Sequence, residues 1–170
     1  MIYETKRLYA REMCMSDMPA LKKILQDKTV MLAYEHAFSD EETLEWMNRQ
    51  LDRYKEFGYG LWAVILKDTD EMIGQCGLSM QDIGTRKVLE IGYLLQKEHW
   101  HKGYAIEAAI GCKKYAFEAL KAEEVFSIIR DTNIASMNVA IRNGMVIRGR
   151  FIKRYYDVDM PHYAFSAKKQ

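Results

Sequence analysis

The stretch Trp100-His101-Lys102-Gly103-Tyr104-Ala105 decides the fold of this 170-residue chain. An apolar run over residues 88–95 precedes it, and a helical run over residues 105–120 follows it. A glycine-containing loop between a strand and a helix N-terminus aims backbone N–H groups at one point, where the helix adds partial positive charge. Gly103 lets the backbone approach a ligand closely, and Lys102 can add a point charge. The stretch therefore predicts an anion site, suited to the phosphates of a cofactor.

Composition and charge limit the classes of protein to which the chain can belong. With 49% hydrophobic and 29% charged residues, it is typical of a soluble globular protein, and its length suits one domain over residues 1–170. A net charge of +1 gives no broad field for nucleic acid or a membrane surface. No apolar stretch is long enough to span a bilayer, and residues 1–13 carry charges where a signal peptide needs an apolar run. Three cysteines without a CxxC spacing favour a reduced, cytoplasmic protein, with Cys112 in the core.

Hydrophobic periodicity, helix caps and turn residues predict the element order β-α-α-β-β-β-α-β-α-β-β. A capping box at Ser39 and Glu42 begins the second helix. The last helix is predicted over residues 136–142, and strands over 145–155 and 162–167 are predicted to form a closing hairpin. This order predicts an α/β domain with a mostly antiparallel sheet.

Five segments carry a resemblance to a known family. They are Lys6-Arg7-Leu8, Ile73-Gly74-Gln75-Cys76-Gly77-Leu78, Glu90-Ile91-Gly92-Tyr93, residues 100–108, and Asn133-Ile134-Ala135-Ser136-Met137-Asn138 with Asn143-Gly144-Met145 behind it. Each is weak alone, but in this order the chain resembles the GNAT superfamily of N-acetyltransferases, specifically the branch of the ribosomal-protein N-terminal acetyltransferases. The resemblance implies a GNAT-like α+β fold with about four helices. Its mixed, mostly antiparallel sheet is expected to splay between two parallel central strands.

The resemblance also implies acetyl-CoA as co-substrate. The pyrophosphate is expected on the backbone N–H groups of His101, Lys102, Gly103, Tyr104 and Ala105. The first position of the family's loop pattern, Gln or Arg, is Trp100 here, which removes one polar contact.

The pantetheine arm of acetyl-CoA is expected in the cleft between the two parallel strands. Backbone groups of Leu94 and Leu95 are expected to pair with it, and Asn133 and Asn138 to contact it through their side chains. A turn or helix-cap role is the alternative for Asn133.

The expected chemistry is direct attack of an amine on the thioester, with the Leu95 N–H as oxyanion donor by analogy. Glu90 is the candidate base because apolar neighbours raise a carboxyl pKa. The base of histone-acetylating members falls at Leu89, however, and a purely structural glutamate is the alternative. Many members carry a tyrosine, as thiolate acid, at the position of Ala140. Ser136 or a water molecule is the substitute, and an N-cap role is the alternative for Ser136.

Acceptor contacts are expected from residues 30–38 and from a loop over residues 155–162. Glu35, His36, Asp157, Asp159 and His162 are the side chains that could recognise or deprotonate an amine. The four histidines show no metal-ligand spacing, so each is expected at the surface and no metal is expected.

The leading interpretation is a cytoplasmic, acetyl-CoA-dependent N-acetyltransferase acting on a primary amine, either a protein N-terminus or a small molecule. The alternative is a non-catalytic acyl-CoA-binding regulatory module, which the alanine at position 140 keeps open. A dinucleotide-binding fold is disfavoured because no strand-turn-helix with three glycines opens the chain. No nucleic-acid or membrane partner is expected, and a homodimer is an open expectation because dimers are common in the superfamily.

Overall fold

The computed structural model describes residues 1–155 and 157–169. Eight strands form one sheet in the order β1-β2-β3-β4-β5-β6-β8-β7. The strands are β1 Tyr3–Glu4, β2 Leu8–Arg11, β3 Leu61–Leu66, β4 Met72–Ile83, β5 Arg86–Leu95, β6 Glu124–Arg130, β7 Val146–Tyr155 and β8 Val158–Lys168. Every neighbouring pair is antiparallel except β5 and β6, which are parallel. The predicted mixed, mostly antiparallel sheet is confirmed.

Four α-helices complete the fold, as predicted. They are α1 Met18–Leu25, α2 Asp40–Phe57, α3 Tyr104–Glu118 and α4 Ile134–Arg142. The capping box of α2 is present: Glu42 N–H donates to Ser39 Oγ (3.1 Å), and Ser39 N–H donates to Glu42 Oε2 (2.8 Å). Gly58, with φ of 73°, ends this helix in the left-handed conformation that glycine adopts without strain.

Several boundaries differ from the sequence prediction, and three of these differences bear on the rest of the structure. The two-residue strand β1 was not predicted, and it pairs with β2. Helix α4 begins two residues before the predicted start because Asn133, rather than Ser136, is its N-cap. The predicted loop over residues 155–162 was wrong, since residues 158–162 already belong to β8. Tyr156 of that loop lies outside the described residues.

The sheet separates two hydrophobic clusters because successive side chains of a strand point to opposite faces. Trp62 and Val64 of β3 pack on one face with small residues of α3, including Ala108 and Cys112. Ala63 and Ile65 pack on the other face with α1 and α2. Cys112 is fully buried, which confirms its predicted place in the core.

The parallel pair β5–β6 separates soon after it forms. Its register holds one pair of residues, Glu90 and Phe126. Beyond that pair, side chains bond the backbone: Ser127 Oγ–H donates to Ile91 O (2.9 Å), and Ile128 N–H donates to Glu90 Oε1 (3.2 Å). We call the gap between β5 and β6 beyond Glu90 the seam, and it matches the predicted splay.

Candidate active site

The loop before α3 has the geometry of an anion site. Gly103 is the N-cap of α3 with φ of 78°, and His101 also has a positive φ of 60°. Helical hydrogen bonding begins where Glu107 N–H donates to Gly103 O (3.2 Å). The N–H groups of the first helical turn, Tyr104 to Ile106, therefore have no acceptor within the helix. These donors lie where an anion gains most from the helix dipole.

Arg7, near the start of the sequence, contacts this loop directly. Its Nη1 donates to Lys102 O (3.0 Å), and its guanidinium lies 4.4 Å from the centroid of the Tyr104 ring. Its Nε lies 2.7 Å from Glu107 Oε2. Burial opposes ionisation of Glu107, but hydrogen bonds from Thr5 and Arg7 hold its pKa below the ordinary value. Sequence reasoning missed the roles of Arg7 and Glu107, because no local pattern joins residues so distant in the chain.

Trp100, at the unusual first position of the loop, pins the end of β5. Its Nε1 donates to Leu95 O (3.0 Å), and its ring packs against both hydrophobic clusters. Trp100, which stands where the family pattern has Gln or Arg, therefore bonds to the last residue of β5.

The backbone direction along β5 corrects one prediction. Gln96 N–H donates to Ile73 O on β4 (2.8 Å), so alternate residues of β5, among them Leu94, turn their N–H and C=O toward β4. Tyr93 and Leu95 turn theirs toward the seam. Leu94 therefore has its backbone groups in the β4–β5 ladder, which contradicts the expectation that they are free, and strand parity was the signal that could have revealed this. Leu95 O already accepts from Trp100 Nε1, so its N–H is the group of Leu95 that faces the seam, and its contact with the pantetheine arm stays a prediction.

A cavity of about 460 Å³ opens beside the seam. The predicted residues Glu90, Leu94, Asn133, Ser136 and His162 all line it. The loop residues 101–105 and Asn138 do not. Asn138 is exposed on α4, and its predicted contact remains untested.

Glu90 faces this cavity, whereas Leu89 packs with the main hydrophobic cluster. Its carboxylate accepts hydrogen bonds from Ile128 N–H (3.2 Å) and from Ser79 Oγ–H (3.3 Å). Burial raises the pKa of Glu90 above its ordinary value, although the cation of Lys153 and the two hydrogen bonds oppose the shift. The arrangement suits a base, and it also shows Glu90 in a structural role across the seam.

Asn133 and Ser136 stand at the start of α4, on the other side of the seam. Asn133 Oδ1 accepts from Ser136 N–H (3.1 Å), which is an N-cap bond. Tyr93 O–H donates to Ser136 O (2.8 Å) and ties the helix start to β5. Ala140 is buried and offers no hydroxyl. Both residues line the cavity, and the Ser136 hydroxyl takes no part in the cap bond, which its backbone N–H makes.

His162 is buried, which corrects the expectation of a surface histidine. Its Nδ1 donates to Met160 O (2.8 Å), because a carbonyl oxygen can only accept. Burial lowers the pKa of His162, and the cations of Lys153 and Arg130 lower it further. A neutral imidazole in this cavity can accept a proton at Nε2.

The other predicted acceptor residues lie at or beyond the cavity rim. Glu35 pairs with Arg130, and His36 Nε2 lies 2.8 Å from Glu42 Oε1. Arg130 and Glu42 line the cavity, but Glu35 and His36 do not. Asp157 and Asp159 both lie near exposed Arg154 and also do not line it.

Besides Arg130, three further cations of the cavity lining were missed by sequence reasoning. Arg49 and Arg53 lie four residues apart on α2, and Lys153 lies on β7. The helical spacing of the two arginines with Trp46 was a readable signal, but nothing in the sequence showed that this face of α2 borders a cavity.

The described residues contain no candidate metal cluster and no candidate membrane-spanning helix. Within 1–155 and 157–169, no group of three or more His, Cys, Asp or Glu side chains could hold a metal ion. None of the helices described is long and apolar enough to cross a membrane.

Residues 7–146 match the family model of the acetyltransferase (GNAT) domain. Two Bacillus subtilis proteins are similar in sequence. YkkB is 37% identical over 122 residues, which are 72% of this chain and 71% of YkkB. The N-acetyltransferase YnaD is 30% identical over 151 residues, which are 88% of this chain and 85% of YnaD.

Solved structures share the whole fold. An acetyltransferase from Agrobacterium tumefaciens is 27% identical, with a TM-score of 0.81 over 98% of this chain and 93% of that chain. RimL, a ribosomal-protein acetyltransferase in complex with coenzyme A, is 19% identical, with a TM-score of 0.78 over 96% and 95%. A Vibrio cholerae spermidine N-acetyltransferase in complex with CoA and spermine is 14% identical, with a TM-score of 0.79 over 96% of each chain. The last two show the likeness of fold alone.

Proposed function

The chain belongs to the GNAT family of N-acetyltransferases, whose members use acetyl-CoA, and on that premise we propose that it transfers acetyl directly to a primary amine. The observation that carries the proposal is that the seam and the anion-binding loop both adjoin the same strand, β5. The seam opens beside β5, and the N–H donors of the loop before α3 follow the end of the same strand.

The residues on the page fit the co-substrate in two places. Backbone groups of Tyr93 and Leu95 face the seam, where an extended amide-bearing arm can pair with them as a strand would. The N–H groups from His101 to Ala105 suit a pyrophosphate. Gly103 adopts its positive φ without strain and has no side chain to block the approach of the ligand. The donors of Asn133 and Asn138 are proposed to contact the arm.

The proposed transfer divides the work among a few groups of this chain. Acetyl-CoA supplies the thioester carbonyl when bound. Glu90 accepts the proton of the ammonium, directly or through water, and His162 is the second candidate for that task. The Leu95 N–H donates to the oxygen on which charge develops. The Ser136 hydroxyl passes a proton to the departing sulfur and at the same time takes one from a water molecule, so that it ends as a neutral hydroxyl.

The acceptor class is the finer part of the proposal. The resemblance to ribosomal-protein acetyltransferases favours a protein N-terminus, and a small amine is the other choice. A non-catalytic acyl-CoA-binding module is the competing function, supported by the buried Ala140, which leaves the usual acid position without a hydroxyl.

Titration calorimetry of the purified protein with acetyl-CoA, and with CoA as comparison, is the first test. We expect micromolar binding, followed by thiol release when primary amines are added. Binding without release from any amine would favour the regulatory module, and absence of binding would overturn the proposal. Because Cys14 is an exposed free thiol, the thiol assay needs a blank with protein and no acetyl-CoA.

A further inference from the structure

We propose, building on the acetyltransferase function above, that the acceptor is a small amine that also carries a carboxylate or phosphate group. Arg49 and Arg53 of α2 hold that anionic group. They lie four residues apart and line the same cavity as Glu90.

The first argument is that these two arginines have no carboxylate partner. Six of the other described arginines pair with acids: Arg7 with Glu107, Arg11 with Asp17, Arg86 with Glu124, Arg130 with Glu35, Arg150 with Asp131, and Arg154 with Asp157 and Asp159. Arg142 and Arg148 form no such pair with a described residue either, but they do not line the cavity. No described carboxylate oxygen lies within 4.0 Å of a guanidinium nitrogen of Arg49 or Arg53. Even Glu45, which precedes Arg49 at the helical pairing distance of four residues, forms no ion pair with it.

The second argument concerns the surroundings of Arg53. This side chain is half-buried, and among the described residues its hydrogen-bond acceptor is Gln50 Oε1, at 3.4 Å. That oxygen already accepts from Leu61 N–H (3.1 Å). Burial lowers the pKa of Arg53, and the charge of Arg49 lowers it further, while Glu90 acts in the opposite direction. A second cation beside a desolvated guanidinium is unfavourable until an anion joins them.

Arg49 is placed to share that anion. Its guanidinium lies 5.5 Å from the centroid of the Trp46 ring, and Trp46 Nε1–H donates to Gln75 Oε1 (3.0 Å), which fixes the ring. An arginine stacked on a fixed ring keeps its N–H edge for a ligand. Two guanidinium groups on one helical face therefore form a fork for a carboxylate or phosphate.

The charge pattern then orients the acceptor. Glu90 is close enough to Arg53 for the two charges to interact, so an amine at Glu90 and an anion at the arginines fit one short molecule. Lys153, on the facing strand β7, and Arg130 of β6 bring the cations of the described lining to four. The cations outnumber the carboxylates Glu42, Glu45 and Glu90 of the same lining, so a polyamine would meet a net positive surface there, which is unfavourable. The cavity of about 460 Å³ suits a small molecule.

Matched amines test the inference in the thiol-release assay. Three have the same four-carbon length and similar amine basicity: 4-aminobutanoate, butylamine and 1,4-diaminobutane. Alanine against alaninamide repeats the comparison at a shorter distance, and phosphoethanolamine against ethanolamine separates phosphate from carboxylate. We expect kcat/KM to be about tenfold or more higher for the anionic member of at least one set, as charged hydrogen bonds allow.

Charge-neutralising variants test the residues. R53Q and R49Q are each expected to raise the KM for the preferred anionic amine about tenfold, with the KM for acetyl-CoA unchanged and a clearly smaller loss for the neutral amine. K55Q is the matched control, because Lys55 lies on the exposed side of α2 beside Asp52. R53E is expected to shift preference toward 1,4-diaminobutane.

The results separate this inference from the function on which it rests. If acetyl-CoA binds but the neutral amine, the diamine or a neutral N-terminal tetrapeptide is preferred, the inference is wrong and the acetyltransferase function stands. An equal loss for neutral and anionic amines in R53Q overturns it too, as does release from none of these amines. If acetyl-CoA does not bind, both fall.

Discussion

The Nε atom of Arg7 lies 2.7 Å from the Oε2 atom of Glu107, a residue 100 positions further along the chain. The backbone N–H of Arg7 also donates to Glu107, at 2.7 Å. Glu107 lies in the first turn of α3, and the same guanidinium reaches Lys102 O in the preceding loop. The N-terminal segment thereby fixes the loop whose N–H groups are proposed to bind the pyrophosphate.

Arg7→Ala is expected to raise the KM for acetyl-CoA about tenfold while kcat changes little, since the loop loses hydrogen bonds to a charged group. Arg7→Lys should recover less than half of that effect in log units, because an ammonium cannot hold Glu107 and Lys102 O in one plane. Steady-state kinetics measures both. Lys114→Ala, at an exposed position of α3 beside Glu118, is the control and should leave the KM unchanged. An unchanged KM for acetyl-CoA in Arg7→Ala would contradict the proposal that Arg7 holds the loop in its binding conformation.

Gly103→Ala is expected to weaken acetyl-CoA binding at least tenfold in calorimetry. A side chain at φ of 78° costs about 1 kcal/mol, and the new Cβ would lie 3.4 Å from Arg7 Nη2. Gly84→Ala is the matched control, since Gly84 also has a positive φ (60°) but has open space around it in the β4–β5 turn. It should lose similar stability and keep full affinity. Equal affinities in the two variants would contradict the loop assignment.

Glu90→Gln is expected to lower kcat by about 10²-fold if Glu90 is the base. The acidic limb of the wild-type pH–rate profile should follow the raised pKa of Glu90 and disappear in the variant. The amide oxygen can still accept from Ile128 N–H, so the seam is preserved. If the limb persists in Glu90→Gln and disappears in His162→Gln, the base is His162.

The same raised pKa fixes a stability trend. A carboxyl whose folded pKa lies above its unfolded pKa binds more protons when folded, so its contribution is present at low pH and lost as pH rises through the folded value. Thermal melting should therefore show Glu90→Gln gaining on the wild type between pH 4 and pH 8. A difference in melting temperature that does not change with pH would contradict the raised pKa.

Asn133→Ala and Ser136→Ala should separate a cap from a proton donor. Loss of the N-cap bond is expected to cost about 1 kcal/mol, which lowers the melting temperature by about 3 °C for a domain of this size. Ser136→Ala removes no cap bond, because Asn133 bonds to its backbone N–H. We expect it to keep its melting temperature and to lose about tenfold in kcat. Unchanged turnover would exclude Ser136 as the acid.

Most of the fold could be predicted from the sequence because helix caps and turn glycines act on the backbone next to them. Ser39 with Glu42, Gly58 and Gly103 mark helix ends through their own backbone needs, and each lies where the pattern predicts. The start of α4 was misplaced because both Asn133 and Ser136 are good caps, and only the folded backbone decides between them.

The site was harder to predict because its chemistry comes from distant elements. The cavity face of Glu90 follows from strand parity, but the choice of face depends on the partner strands. The pairing of Arg7 with Glu107 and the burial of His162 depend on contacts between residues far apart in sequence. Such contacts produce no periodic pattern in the sequence from which they could be predicted.

The single residue pair that joins β5 to β6 also divides the sheet into two blocks, β1 to β5 and β6 with β8 and β7. Within each block every ladder holds two or more residue pairs, whereas the boundary depends largely on the hydrogen bonds of the Glu90 and Ser127 side chains. Opening the boundary breaks few backbone bonds, so amide hydrogen exchange should be faster at Ile128 than along the β4–β5 ladder. We therefore expect local opening at this boundary while both blocks stay folded.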